Sequence, residues 1–239
     1  MRLEGKNIVV VGVGPGLGSA TVYFLLKEGA NVIMVSRTKD KLEAIKNQLS
    51  KYGKLDYVVG DPSTVENAEK LMKDVISKAN KIDGLALLVG TYVSTPIESL
   101  KENDFDLLIN ANVKAPLYTI RASLPYLANG SSVVMVSSIM GLYNIAAGNV
   151  GYSVAKAAVA KATEVLSVEL LSKSIRVNSV APNGMNHDFV PDRDWKKLRK
   201  LGDSSCPPED VARVITWLIT DESEWVNGVV LPVTGGSRK

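Results

Sequence analysis

Short apolar runs alternate along the chain with segments whose apolar residues recur every three or four positions, and the two periods mark strands and helices. Residues 7–11, 31–35 and 55–59 read as strands, each followed by a helical pattern at 16–28, 39–51 and 65–79. The alternation continues with a strand at 85–89, a long helix at 104–127, a strand at 133–136 and a second long helix at 152–171. Strands at 175–180 and 229–233 complete the set. Nearly continuous apolar strands between amphipathic helices need cover on both faces of a sheet. The pattern predicts an α/β fold, doubly wound, with a mainly parallel seven-stranded sheet. Ser63 followed by Glu66 predicts a capping box at the start of the third helix.

At 239 residues and 46% apolar content, the chain can bury one sizeable core. No repeat, low-complexity tract or linker divides it, so a single domain over 1–239 is expected. A net charge of +3 with both signs scattered along the chain gives no case for a nucleic-acid or anionic-membrane partner. No apolar run approaches the ~18 residues of a membrane span, and a soluble, cytoplasmic protein is expected. Cys206 and His187 are each the only residue of their type. No intrachain disulfide can form, and no thiolate or imidazole metal centre is expected; magnesium held by carboxylates stays open.

Gly12, Gly14, Gly16 and Gly18 fall between the first strand and the first helix, with Leu17 inside the run. Main-chain N–H groups at such a turn can hold a pyrophosphate with no side chain in the way, which points to a bound dinucleotide. The spacing is Gly-x-x-x-Gly-x-Gly; Gly-x-Gly-x-x-Gly fails at Leu17, and a P-loop fails for want of Gly-Lys-Ser/Thr. The second strand ends Val35-Ser36-Arg37-Thr38-Lys39, where an NAD-selective site carries an acid for the ribose hydroxyls. Unless Arg37 is simply a solvated strand end, its planar fork favours a 2′-phosphate. NADP(H) is therefore expected ahead of NAD(H).

Tyr152 and Lys156, four residues apart in a helical pattern, share one helix face. A tyrosine titrates near pH ~10, so proton exchange near neutrality needs a shift of about 3 units, or roughly 4 kcal/mol. A cation about 6 Å away at an effective dielectric of about 20 contributes on the order of 2.8 kcal/mol. A second positive source is needed, and an oxidised nicotinamide would be one.

With the glycine spacing and Tyr152-x-x-x-Lys156 together, the chain resembles the short-chain dehydrogenase/reductase family over its whole length. Ser137-Ser138-Ile139-Met140-Gly141 is similar to the family's serine motif, with Ser138 as the catalytic counterpart. Asn112, in Asn110-Ala111-Asn112, resembles the asparagine that bends the long helix and anchors a relay water, and Asp61 resembles the adenine-contacting aspartate. The resemblance implies a Rossmann domain in which Tyr152 exchanges a proton with a carbonyl oxygen, Ser138 hydrogen-bonds it, and Lys156 holds the ribose and lowers the tyrosine's pKa. It also implies cofactor contacts at Ser36, Gly90, Pro182, Gly184 and Met185, and a homotetramer or dimer.

Departures from the family pattern are visible. Leu87-Leu88-Val89-Gly90 keeps the glycine and loses two amides, Pro62 lacks an N–H, Asn183 interrupts Pro-Gly, and His187 aligns with a threonine. Val233-Thr234-Gly235-Gly236 stands where an aspartate is usual, and the Ser138–Tyr152 loop is one residue longer. An α/β hydrolase elbow at Gly151–Ala155 lacks its preceding strand. An epimerase-type relative needs a further domain, and a non-catalytic dinucleotide sensor is the reading from another class. The segment at about 184–207 is expected to cover the substrate, and carries Arg193, Trp195, Lys196, Lys197, Arg199 and Lys200. A solvated amphipathic helix is the simpler account; a dock for an acidic carrier would favour 3-oxoacyl thioesters. Sugars, as in a glucose dehydrogenase, and small ketones are the alternatives, and the direction of reaction is open.

Overall fold

The computed structural model describes residues 1–237, so the last two positions of the expected domain lie outside the described residues. Seven strands form one sheet: β1 (Asn7–Val11), β2 (Asn31–Ser36), β3 (Leu55–Val59), β4 (Ile82–Leu87), β5 (Leu127–Val136), β6 (Arg176–Pro182) and β7 (Val230–Val233). Their order is β3-β2-β1-β4-β5-β6-β7 and every pairing is parallel. This is the single-domain, doubly wound Rossmann arrangement the pattern predicts. The helices are α1 (Leu17–Lys27), α2 (Lys39–Leu49), α3 (Val65–Ile76), α4 (Glu102–Ile109), α5 (Ala115–Ser123), α6 (Val150–Glu169) and α7 (Pro208–Ile219). None of the described helices is long and apolar enough to cross a membrane.

Strand periodicity divides the core in two. In β1, Ile8 and Val10 face a cluster with Leu25, Leu42 and Ile215 from α1, α2 and α7. Val9 and Val11 face the opposite cluster with Leu71, Ile120 and Val159 from α3, α5 and α6. Both faces of β1 are dry, which is why its sequence carries no polar alternation.

Three boundaries depart from the pattern. The helix expected over 104–127 is two α-helices joined by a π-turn at Asn110–Lys114, and β5 already begins at Leu127. Strand β4 starts at Ile82 rather than 85: Asp83, beside Gly84, accepts the Asn7 N–H at 2.9 Å, so a pair that resembles a turn lies inside the sheet. The third helix is capped by Thr64, whose hydroxyl accepts the Asn67 N–H at 3.2 Å, and the Ser63/Glu66 box does not form. The Ser63 N–H instead donates to Asp61 at 3.1 Å.

Strand order reverses at β1, with β2 on one side and β4 on the other. The loops leaving β1 and β4 therefore diverge, and a cleft opens between them at the C-terminal rim.

Candidate active site

The glycine run after β1 divides by task. Gly12 has φ +91°, and a Cβ there would stand 2.4 Å from the Val89 amide nitrogen; at Gly18 it would stand 2.7 Å from Val13 Cα. These two allow close packing of the turn against the β4 loop and the strand. At Gly14 and Gly16 an added Cβ would meet nothing within 4 Å. They face open space at the start of α1, whose first turn has no side-chain cap and no acid. Unobstructed N–H groups at the positive end of a helix dipole suit an anion, so these residues fit a pyrophosphate.

The adjoining cleft holds about 410 Å³ and is lined by Gly14, Ser36, Arg37, Lys41, Asp61 and Gly90 among others. Arg37 is exposed, with its guanidinium 3.9 Å from the Asp61 carboxylate, so both expected ribose- and adenine-side residues sit at one mouth. Lys41, four residues beyond Arg37 on α2, is a second cation at this cleft that the sequence reading did not single out. Pro182 ends β6, and Gly184–Met185 pairs in parallel with Ser205–Cys206 at the base of the covering segment.

The serine motif at the end of β5 meets α6 through three contacts. Ser137 Oγ donates to the Lys156 carbonyl at 2.7 Å. A Cβ on Gly141 would stand 2.5 Å from the Lys156 carbonyl carbon, so only glycine lets this turn lie flat against α6. Ser138, between them, is buried and hydrogen-bonds Tyr152. Lys156 Nζ donates to the Val136 carbonyl at 2.9 Å and lies 5.6 Å from the Tyr152 ring centroid. The structure thus brings Ser138, Tyr152 and Lys156 together.

Asn112 lies at the π-turn, buried, with Nδ2 donating to the Thr91 and Leu108 carbonyls at 2.9 Å and Oδ1 accepting the Thr91 N–H at 3.3 Å. A Cβ on Gly90 would fall 2.6 Å from Asn112 Oδ1 and 3.4 Å from Lys156 Nζ. Any side chain at this position would therefore crowd the asparagine and touch the ammonium.

Electrostatics correct one expectation. Burial pulls the Lys156 ammonium down to about 8, and the Tyr152 phenol is held above its ordinary range, chiefly by burial. The Ser138 hydrogen bond pulls the phenol down, while the neighbouring Tyr92 pushes it up. Lys156 spends its hydrogen bond on a main-chain carbonyl and faces the ring, so it does not by itself bring the tyrosine toward neutrality.

Three residues at the site carry no sequence signal. Tyr92 packs edge-to-face on Tyr152, with centroids 5.1 Å apart, and donates to Asn149 Oδ1 at 2.6 Å. Thr95 is buried, gives its N–H to the Gly148 carbonyl at 2.7 Å and accepts the Gly151 N–H at 2.9 Å. Together with Asn149 they clasp the loop after β4 to the start of α6 and fix where Tyr152 emerges.

The covering segment is strapped down. Phe189 is buried beside Tyr23, and the hydroxyls of Tyr23 and Tyr52 both donate to Asp192. Arg193 forms a two-point pair with buried Glu209 at 2.6 and 2.9 Å, and Arg199 another with Asp210 at 2.9 Å. Instead of the expected amphipathic helix there is only a 3-10 turn at Trp195–Leu198, and both arginines of the suggested carrier dock are already paired.

A profile for the short chain dehydrogenases matches residues 6–197, and the chain belongs to that family. It is 33% identical to the 3-oxoacyl-(acyl-carrier-protein) reductase FabG of Thermotoga maritima, covering 99% of each. Among solved structures it matches a short-chain dehydrogenase/reductase from Serratia marcescens over all of both chains, with a TM-score of 0.90 and 22% identity. A blue fluorescent protein from a metagenomic library, in complex with NADPH, matches over 99% of each with a TM-score of 0.88 and 23% identity. Membership makes this an oxidoreductase acting between CH–OH and C=O groups.

Proposed function

We propose that the chain is an NADP(H)-dependent carbonyl reductase whose reacting oxygen is held by Ser138 and Tyr152. The observation that carries this is buried Ser138 with half-buried Tyr152 beside Lys156, at the rim where the uncapped start of α1 opens. Gly14, Gly16, Leu17 and Gly18 would hold the pyrophosphate, and Arg37 with Lys41 the 2′-phosphate. Asp61 would border the adenine, and Gly90, Pro182, Gly184 and Met185 the nicotinamide side. The bound cofactor supplies the hydride for the carbonyl carbon. Tyr152 gives its proton to the carbonyl oxygen, Ser138 donates a hydrogen bond to the same oxygen, and Lys156 hydrogen-bonds the ribose and restores the tyrosine proton. Asn112 holds the Thr91 main chain beside this relay.

Candidate substrates are a 3-oxoacyl thioester, by likeness to the Thermotoga reductase, sugars and small ketones. The pairing of Arg193 and Arg199 removes the basic-dock argument for a carrier-borne substrate. Exposed Val150, Val154, Val165 and Val168 on α6 suit the homodimer or tetramer the family resemblance implies, acting in the cytoplasm. Tyr152→Phe tests the mechanism: turnover of NADPH with a carbonyl panel should fall about a thousandfold, with NADPH affinity within about threefold. Turnover retained in that variant would remove the proposed proton donor.

A further inference from the structure

We propose that Tyr92 is the specificity-determining wall of the substrate site, a fixed aromatic face beside the Tyr152 hydroxyl that selects planar ring ketones over open-chain acyl carbonyls. The proposal rests on the reductase reading, because it places the substrate carbonyl on Tyr152.

Tyr92 is 57% exposed, and its ring stands 5.1 Å from that of the half-buried Tyr152 at an interplanar angle of 79°. At that spacing the exposed Tyr92 ring adjoins the ring that carries the proposed proton donor. Its own hydroxyl is committed. Asn149 uses its Nδ2 on the Ala146 and Ala147 carbonyls at 3.4 and 3.0 Å, which fixes the amide so that Oδ1 must accept, and Tyr92 donates to it at 2.6 Å. The phenolic proton is therefore unavailable to a substrate, and what Tyr92 offers is ring surface.

The ring is also held before any substrate arrives. On one side Thr91 pairs with Asn112 through both its N–H and C=O; on the other Thr95 is bound to Gly148 and Gly151. A wet aromatic face with a fixed orientation gains most from a flat apolar partner, which covers it in offset-stacked or edge-on contact at little entropic cost. An open acyl chain covers less of the ring and loses rotamer freedom in doing so.

The test compares the parent protein with Tyr92→Leu and Tyr92→Phe, using β-tetralone and acetoacetyl-coenzyme A as substrates with NADPH. Binding of β-naphthol in the presence of NADP⁺ is followed by the naphthol's own fluorescence, which needs no turnover. In Tyr92→Leu, kcat/KM for the tetralone should fall about tenfold, mostly through KM, with the thioester within about twofold. Naphthol binding should weaken by the same factor, and Tyr92→Phe, which keeps the ring, should restore both. Equal effects on the two substrates, or unchanged naphthol affinity in Tyr92→Leu, would overturn the wall while leaving the reductase reading intact. If the parent protein reduces neither carbonyl, the reductase reading fails and selection among ketones fails with it, whatever naphthol binding shows.

Discussion

At Lys156 stability and chemistry oppose each other. Its folded pKa of about 8 lies below the ordinary lysine value, so the folded state binds fewer protons than the unfolded chain between those two values. Stability therefore rises with pH across the window from about 8 to the ordinary lysine range near 10.4, and the burial penalty is present in full below it. Lys156→Met should stabilise the fold at pH 6–7 by on the order of 2 kcal/mol, after allowing for the lost hydrogen bond to Val136. Thermal melts across pH should show the gain fading toward pH 10; a gain that does not change with pH would mean the ammonium carries no such penalty. Tyr152, Lys156 and the glycine run were legible in the sequence because local spacing on one helix face or one turn places them, and Ser138 through its likeness to the family's serine motif. Tyr92 was not, since its meaning arises from a contact with Asn149, 57 positions away, between two loops without periodicity.

At the scale of elements, existence and order followed from periodicity, while the ends were set by side-chain hydrogen bonds that periodicity does not report. The third helix is the sharpest case. Both Ser63 and Thr64 are good cap residues, and the sequence favoured Ser63 for its partner Glu66. The Ser63 N–H is instead drawn to the Asp61 carboxylate, so Thr64 caps. Thr64→Ala should cost about 1 kcal/mol and Ser63→Ala less than about 0.5 kcal/mol, read from urea midpoints; the reverse ranking would restore the original cap. The long helix before β5 is interrupted at Asn112, where the family resemblance implies a bend, but periodicity does not mark the break because a π-turn adds a residue without ending the helical run. Its cause is tertiary: Asn112 turns inward to bond the Thr91 main chain, and no neighbour in sequence reveals that demand.

For the molecule as a whole, cofactor binding couples to folding through the rim where β1, β2 and β4 end. NADPH at about a hundred times its Kd should stabilise the chain by about 2.7 kcal/mol, raising Tm by roughly 5–10 °C. Arg37→Ala should weaken NADPH about tenfold and leave NADH within about twofold, as thermal-shift titrations of both would show. Equal losses for both would assign Arg37 a role other than phosphate selection. All seven strands run one way, so the loops after β1, β4, β5 and β6 gather at one edge with Gly14, Thr91, Ser138 and Gly184. The turns at Gly29, Gly53 and Asn80 feed the strands from the opposite edge. A peptide spliced into those turns, or a surface linker attached there, hangs a full strand length from the hydride path, which makes that edge the natural handle for immobilising the protein without crowding its doorway.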